Sequence, residues 1–267
     1  MGSIVNNFMF RLYADFFMPS RLPLLRCFLR KALDCGFEFC SIAQFVSYSR
    51  SAQGIPDRVI ALRHDVDTDV KTAGEFWRIE KDFGIQGSFF FRLATLDYRL
   101  MGEIHAGNSE ASYHFEEIAT YAKQMGVKTA DILRGRMPEI RQMFAQNLQR
   151  LRRESGLPMT IVAAHGDFVN RRTGLSNELI LADPAFRRAM QVEHEVYDQE
   201  IVRHFSERFS DAQPPVYWTP KDPARFIDDR QGIAQLLIHP RQWRADRLGN
   251  LRDDIGRLWE ELGYRFR

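Results

Sequence analysis

The sequence predicts an α/β protein built on a parallel (β/α) barrel with extra helices at its N-terminus. Three short apolar segments, rich in branched side chains, have the length of buried strands: 58–63, 159–164 and 234–238. Segments with helical spacing of apolar residues separate them, and this alternation is typical of parallel sheets. A chain of 267 residues with 45% hydrophobic content can form one such barrel. We therefore expect one domain over 1–267, with 1–55 as an N-terminal helical extension.

The other elements follow from periodicity and from glycines that end helices. A helix over 71–83 stops at Gly84, and the segment 87–91 (GSFFF) is expected to be the next strand. Together with the strand over 58–63, they form a strand, helix, strand unit. Further predicted helices cover 23–33, a stretch from about residue 41, and 112–125, 138–154 and 248–262; short strands are predicted near 192–196 and 216–218.

Composition excludes some classes of function. The formal charge of +2 arises from 37 basic and 35 acidic residues mixed along the chain, so no basic footprint of a nucleic-acid-binding protein is present. The apolar stretch 1–18 is interrupted by Arg11 and Asp15, which predicts neither a signal peptide nor a membrane span. We expect a cytoplasmic enzyme with a small-molecule substrate and no nucleic-acid partner. The sequence leaves the oligomeric state open.

Polar clusters that contain histidine follow the three apolar segments. They are His64-Asp65-Val66-Asp67, His165-Gly166-Asp167 and His239-Pro240. The carboxyl ends of parallel strands meet at one rim of a barrel, so these clusters are expected to face one ligand. The rim is therefore the predicted active site.

The residue types at this rim suit amide hydrolysis. Asp65 and Asp67 are two positions apart and point to the same side if the backbone stays extended, so one can bind a metal while the other accepts a proton. A Lewis-acidic metal activates water and stabilises the oxyanion. His239, with an ordinary pKa near neutrality, can protonate the leaving nitrogen.

Five segments, in this order, resemble the motifs of the polysaccharide deacetylase, or NodB-homology, superfamily in its branch with an HDVD first motif. They read LRHDVDTD (62–69), GSFFFRL (87–93), SYHFEE (112–117), AAHGDF (163–168) and LLIHP (236–240). The resemblance implies a distorted (β/α) barrel with a metal at its mouth. It also implies that Asp65 is the general base, that Asp67 and His114 are metal ligands, and that His239 is the general acid.

The chain departs from the family at the third ligand. Family members usually carry a second histidine four residues after the first, but here that position is Ile118. His165 is the expected replacement. Glu116 is the alternative ligand, or else a hydrogen-bond partner that fixes the ring of His114. His64 is expected to brace the strand end, with metal ligation as its alternative.

Substrate contacts are predicted at two further side chains. Arg63 is expected to contact the substrate, to orient Asp65 by a charge-assisted hydrogen bond, or to point away from the site, and Trp218 either to stack on a sugar or to be buried. Where the family shows a serine and an aspartate after a later strand, residues 216–226 read VYWTPKDPARF. We therefore expect different substrate contacts there.

These features lead to a hypothesis about function. A divalent metal, Zn²⁺ first and Co²⁺, Ni²⁺ or Fe²⁺ as alternatives, would serve a hydrolase that removes an acetyl or formyl group from an amino sugar. A nucleotide-linked or lipid-linked sugar of surface-glycan biosynthesis is the expected substrate. The alternatives are hydrolysis of a cyclic imide or another small amide on the same fold, and a non-catalytic glycan-binding protein.

Overall fold

A parallel sheet curled into a half-barrel organises the chain in a computed structural model that describes residues 2–266, without the side chains of residues 2–8. Within that range the strands are β1 (Glu38–Cys40), β2 (Arg58–Val66), β3 (Ser88–Phe91), β4 (Glu110–Phe115), β5 (Ile161–Ala164), β6 (His194–Glu195), β7 (Glu207–Asp211), β8 (Trp218–Thr219) and β9 (Gly232–Ile238). The strand order is β6-β5-β4-β3-β2-β9-β7-β8, and β1 pairs with β2. Of these strands, only β8 runs antiparallel to its neighbour. The predicted α/β class is confirmed, and the barrel is open between its two outer strands.

The helices pack around the sheet, most of them on its outer surface. They are α1 (Gly2–Phe16), α2 (Leu22–Asp34), α3 (Ile42–Arg50), α4 (Val70–Phe83), α5 (Tyr98–Ala106), α6 (Glu117–Met125), α7 (Ala130–Gly135), α8 (Met137–Ser155), α9 (Phe168–Thr173), α10 (Pro184–Ala189), α11 (Gln199–Val202), α12 (Ala224–Asp228) and α13 (Arg247–Phe266). Short 3₁₀ turns occur at Leu93–Thr95, Asn177–Leu181 and Pro240–Gln242. No helix between residues 2 and 266 has the length and apolarity needed to cross a bilayer.

Strand β2 shows how the two faces of the sheet differ. Ile60 and Leu62 belong to the large outer core that the helices cover, whereas Val59 and Ala61 belong to a smaller cluster on the concave face. Successive side chains of a strand point to opposite faces. Continuing the alternation places Arg63 on the concave face, together with Asp65 two residues later.

Residues 2–55 are mainly helical, and they also contribute a strand to the sheet. Strand β1 lies parallel to β2, and Ser41 caps the helix α3 that follows it through a capping box with Gln44. Phe45 of α3 packs with Val59 in the concave cluster. Strand β1 and helix α3 therefore fill the amino-terminal end of the half-barrel.

The predicted helix over 112–125 is wrong in its first half. Residues 110–115 form β4, and the helix α6 begins only at Glu117. Tyr113 and Phe115 pack in the outer core, whereas Ser112 and His114 point to the other face. The polar residues that look like the polar side of a helix are thus the concave side of a strand. The sequence also does not predict strands β1 and β7 or helix α5.

Candidate metal centre

Three side chains converge at the carboxyl rim from strands β2, β4 and β5. Asp67 follows β2, His114 lies near the end of β4, and His165 follows β5. The Oδ1 atom of Asp67 lies 3.3 Å from Nε2 of His114 and 3.5 Å from Nε2 of His165. Tetrahedral ligands with bonds of about 2.0–2.2 Å lie roughly 3.3–3.6 Å from one another. The three atoms are therefore spaced as ligands of one divalent cation would be, and these are the three residues that the sequence suggests as ligands.

The hydrogen bonds of both imidazoles leave Nε2 free for a metal. Nδ1 of His114 lies 2.9 Å from the carbonyl oxygen of Ala163, which can only accept, so Nδ1 carries the proton. Nδ1 of His165 lies 2.9 Å from Oε2 of Glu116. Metal-binding histidines usually donate their other nitrogen to a carbonyl or a carboxylate in this way. Both rings are thus held in the orientation that ligation requires.

One carboxylate oxygen of Asp67 lies in surroundings that favour a bound cation. Its Oδ1 atom is buried and has no hydrogen-bond partner in the described part of the chain. Burial acts to raise the pKa of this carboxyl, but His165 and His114 outweigh burial and hold it well below the usual value. A buried, ionised oxygen without a hydrogen bond is costly unless a cation binds it. The donor set of one carboxylate and two imidazoles fits zinc and similar divalent metals.

Glu116 acts on His165 and not on His114. Its two carboxylate oxygens lie 2.8 Å from Nη2 of Arg92, and Oε2 also receives the hydrogen bond from His165. Burial acts to raise the pKa of Glu116, but the bond from His165 and the charge of Arg92 lower it to about 2. The glutamate is therefore an ionised acceptor that orients His165. Glu116 therefore fixes the ring of His165 and not that of His114, which differs from the expectation. The sequence does not indicate that Arg92 binds Glu116.

Replacing Glu116 by glutamine is expected to lower metal affinity about 10- to 100-fold, the usual cost of losing a partner of a ligating histidine. The substitution removes the charge that faces Nδ1 of His165 and breaks the ion pair with Arg92. Competition with a metal-binding dye would measure the affinity. The matched control is Glu117→Gln, because the carboxyl of Glu117 binds Tyr113 and Asn147 instead. Equal affinities in the two variants would contradict the assigned role of Glu116.

Asp65 lies at the edge of the same site. Arg63 donates two hydrogen bonds of 2.7 Å to the two oxygens of Asp65, one from Nε and one from Nη2. Oδ2 of Asp65 is also 3.4 Å from Nε2 of His114. Burial acts to raise the pKa of Asp65, but the charge of Arg63 outweighs it and keeps the carboxyl ionised. Arg63 itself has 0% exposure, so it positions Asp65 and has no surface that a substrate could reach.

His239 faces the site from the end of β9 and is held by an aspartate that the sequence alone does not single out. Oδ1 of Asp211 lies 2.6 Å from Nδ1 of His239, and Oδ2 accepts from the His239 backbone and from Nε1 of Trp243. Burial alone would lower the pKa of His239, but the charge and hydrogen bond of Asp211 outweigh it and raise the value to about 9. Asp211 is the last residue of β7, next to Ser210, and it precedes the segment 216–226.

A cavity of about 240 Å³ connects the two halves of the site. Its lining includes Asp67, Thr68, Asp211 and His239. The remaining lining residues come from three helical regions and one loop: Arg11, Gln213, Pro240, Arg241, Gln242 and Arg257. A small group that enters this cavity would therefore meet both the candidate metal ligand Asp67 and the imidazole of His239.

His64 and Trp218, which the sequence suggests as site residues, do not line the cavity. His64 points to the outer face of β2, where Nε2 is 2.6 Å from Oε1 of Glu80 and the ring stacks on Phe89. It therefore braces the strand and does not reach the candidate ligands. Trp218 is half-buried, and its ring packs edge-on against Trp243. The indole is a packing residue at the margin of the core.

Other groups of potential ligands exist, but cations of the chain already occupy them. Glu116, His165 and Asp167 form one such group, in which Lys123 binds Asp167 at 3.0 Å. The group His194, Asp198 and Glu200 lies at the other end of the sheet, where Arg50 and Arg187 contact it. His194 is buried, although its polar neighbours in the sequence suggest a surface position.

Comparison with known proteins does not identify a family for this chain. No protein-family model, no curated protein and no solved structure matches the chain. The resemblance to polysaccharide deacetylases stays a prediction from the motifs. The chain forms an α/β half-barrel whose buried histidine and carboxylate clusters could hold a metal ion.

Proposed function

We propose that the chain is a metal-dependent hydrolase that removes an N-acyl group, acetyl or formyl, from an amino sugar, on a half-barrel of the NodB type. The observation that carries the proposal is the convergence of Asp67, His114 and His165 on one point. Asp65, held by Arg63, lies 3.4 Å from Nε2 of His114, and His239, held by Asp211, lines the same cavity as Asp67. A base and an acid beside a metal site are what amide hydrolysis needs.

A divalent cation such as Zn²⁺, held by Asp67, His114 and His165, would polarise the acyl carbonyl and activate a water molecule. Asp65 is ionised and fixed by Arg63, so it can accept the proton of the attacking water. His239 is protonated below about pH 9 and can give its Nε2 proton to the departing nitrogen. The products are a carboxylic acid and a free amine. Co²⁺, Ni²⁺ and Fe²⁺ suit the same donors.

Activity is expected to fall as the pH rises towards 9, because His239 must be protonated to act as the acid. Its pKa is raised to about 9 chiefly by Asp211, against the effect of burial. Replacing Asp211 by asparagine removes that charge, so the alkaline limb of the rate profile should move to lower pH. The alkaline limb of the kcat/KM profile, measured for the wild type and for Asp211→Asn, gives this shift. An unchanged limb would show that another group supplies the proton.

The first test is the metal content of protein purified without chelator or metal-affinity chromatography. About one metal per chain, lost in His114→Ala, is expected, because that variant removes one of the three converging donors. Loaded protein would then be incubated with N-acetyl and N-formyl amino sugars, and released acetate or formate would be measured. A chain that takes up no metal after zinc is added would overturn the proposal and favour a glycan-binding protein.

Hydrolysis of a cyclic imide or a small amide is the second candidate, and the size of the cavity favours it. Ligand pockets usually have volumes of about 300–1,000 Å³, and this cavity has about 240 Å³. The two reactions differ in their products. Opening of a cyclic imide adds one water and releases no acid, whereas deacylation releases acetate or formate. Mass spectrometry of the products therefore separates them.

A further inference from the structure

Helix α13 packs on the protein with its polar side. Its buried residues are Asn250 and Tyr264, and two of its acids bind cations of the body: Asp254 with Arg241 at 2.8 Å and Glu260 with Lys123 at 3.0 Å. The opposite side is apolar and exposed, and consists of Leu248, Leu251, Ile255, Leu258, Trp259, Leu262 and Phe266. A surface helix of a water-soluble domain normally buries its apolar side. The orientation of α13 therefore indicates that something else covers this side.

Helix α1 contacts α13 and also carries exposed apolar side chains. It lies beside α13, with Nη2 of Arg11 2.6 Å from Oδ1 of Asp254, and Nε of Arg247 donating to the carbonyl of Phe16. Its exposed apolar side chains are Met9, Phe10, Leu12 and Tyr13, and Phe17 follows the helix. We call the exposed apolar residues of α1 and α13, with Phe17, the terminal-helix face.

The terminal-helix face is large for a surface that only water contacts. Its five aromatic side chains alone, with exposed fractions from 37% to 80% and about 150–250 Å² each, present on the order of 500 Å². The largest apolar patch of a typical monomer is about 300–600 Å² in total. Seven aliphatic side chains add to the aromatic area. The face therefore exceeds what an unpartnered monomer normally exposes.

The charges beside this face favour an anionic lipid surface. Acids of α13 turn towards the body and are paired there, as with Glu261 and Arg172 at 3.7 Å. Arg252 and Arg265 are exposed and make no ion pair within the described residues. Two copies of the chain packed through this face would bring arginines of the same kind together. Phosphates of a lipid headgroup region would complement them, and tryptophan and tyrosine favour that region.

The helices that carry the face also line the candidate active site. Arg11 of α1 and Arg257 of α13 line the cavity that contains Asp67 and His239. A surface that covers the terminal-helix face would therefore contact two helices that contribute to the cavity.

We propose that the terminal-helix face rests on an anionic phospholipid surface and presents the cavity to a lipid-linked sugar there. Amphipathic helices bind in this way by burying their apolar side at the boundary of headgroups and acyl chains, without spanning the bilayer. The proposed docking rests only on the exposed residues of the terminal-helix face and on the arginines beside it. The assignment of a lipid-linked sugar as substrate rests on the proposed function.

Flotation of the full chain with vesicles tests the docking. We expect the chain to float with vesicles of equal parts phosphatidylcholine and phosphatidylglycerol, and less with phosphatidylcholine alone. Leu258→Glu should abolish flotation, and Arg252→Glu should weaken it on the anionic vesicles. The matched control is Ile132→Glu on α7, because Ile132 is 52% exposed and Leu258 is 57% exposed. Flotation lost equally in the control, or absent in the wild type, would overturn the proposal.

Two further readouts separate the possible failures. Light scattering that shows a dimer of the wild type, converted to a monomer by Leu258→Glu without any flotation, would mean that a second copy covers the face and that the proposal is wrong. Hydrolysis of a lipid-linked N-acyl amino sugar in the same vesicles should be lost in Leu258→Glu and kept in Ile132→Glu. Equal rates would overturn the substrate assignment. Intact flotation without hydrolysis of any N-acyl sugar would count against the proposed function alone.

Discussion

Replacing Asp65 by asparagine is expected to leave the metal bound and to lower the rate of acyl release by about 10²- to 10⁴-fold, the usual contribution of a general base. Asparagine keeps the size of the side chain and can still accept from Arg63, but it cannot take a proton from water. Elemental analysis and the rate on an N-acyl amino sugar would be measured on the same preparation.

The complementary variant is Asp67→Ala, which is expected to lose the metal itself. Oδ1 of Asp67 is the oxygen that lies between the two imidazoles, whereas Asp65 already uses both of its oxygens on Arg63. Metal lost from Asp65→Asn and kept in Asp67→Ala would mean that the two aspartates exchange roles.

Replacing Arg63 by leucine is expected to destabilise the fold by about 3–5 kcal/mol, because it leaves the buried charge of Asp65 without its partner. Arg63 is fully buried, with its guanidinium 4.7 Å from the centroid of the Tyr197 ring. The free energy of unfolding from a urea titration measures the loss. Arg63→Lys should lose less, since it keeps the charge and gives up only the paired hydrogen bonds.

The double variant Arg63→Leu with Asp65→Leu provides the control for that prediction. Removing both members of a buried ion pair is often neutral, whereas removing one is costly. The double variant should therefore recover a large part of the stability that Arg63→Leu loses. A double variant as unstable as the single one would show that the loss comes from packing of the arginine stem.

Two of the three candidate ligands, Asp67 and His165, can be placed at one rim from the sequence because parallel strands end there. His114 is predicted only by the resemblance, because its strand lies in a segment that the sequence predicts to be helical. Asp67 and His165 follow apolar runs that are recognisable by composition, so composition and strand order together are enough to predict that they meet. Asp211 cannot be found in this way. Its strand, β7, reads ERFSD and contains one buried hydrophobic residue, Phe209, so no apolar run marks it. Its partnership with His239 depends on the pairing of β7 with β9, which is a property of the whole sheet.

Arg92 and the orientation of α13 show a second limit. Arg92 follows β3 within a motif that looks like packing residues, and only the folded chain reveals that it holds Glu116. The helix over 248–262 is predicted by periodicity and is found as α13. Periodicity identifies an apolar side but does not say what that side contacts. Here the ion pairs of Asp254 and Glu260 turn the polar side inwards.

The three candidate ligands follow or lie at the ends of three different strands, so they meet only when the sheet is formed. A divalent cation would then bind the native chain in preference to the unfolded one. Each tenfold excess of free cation over its dissociation constant would add about 1.4 kcal/mol to the free energy of unfolding. A series of thermal melts with Zn²⁺, Co²⁺, Ni²⁺ and Fe²⁺ would therefore rank the metals by affinity without the need for a substrate.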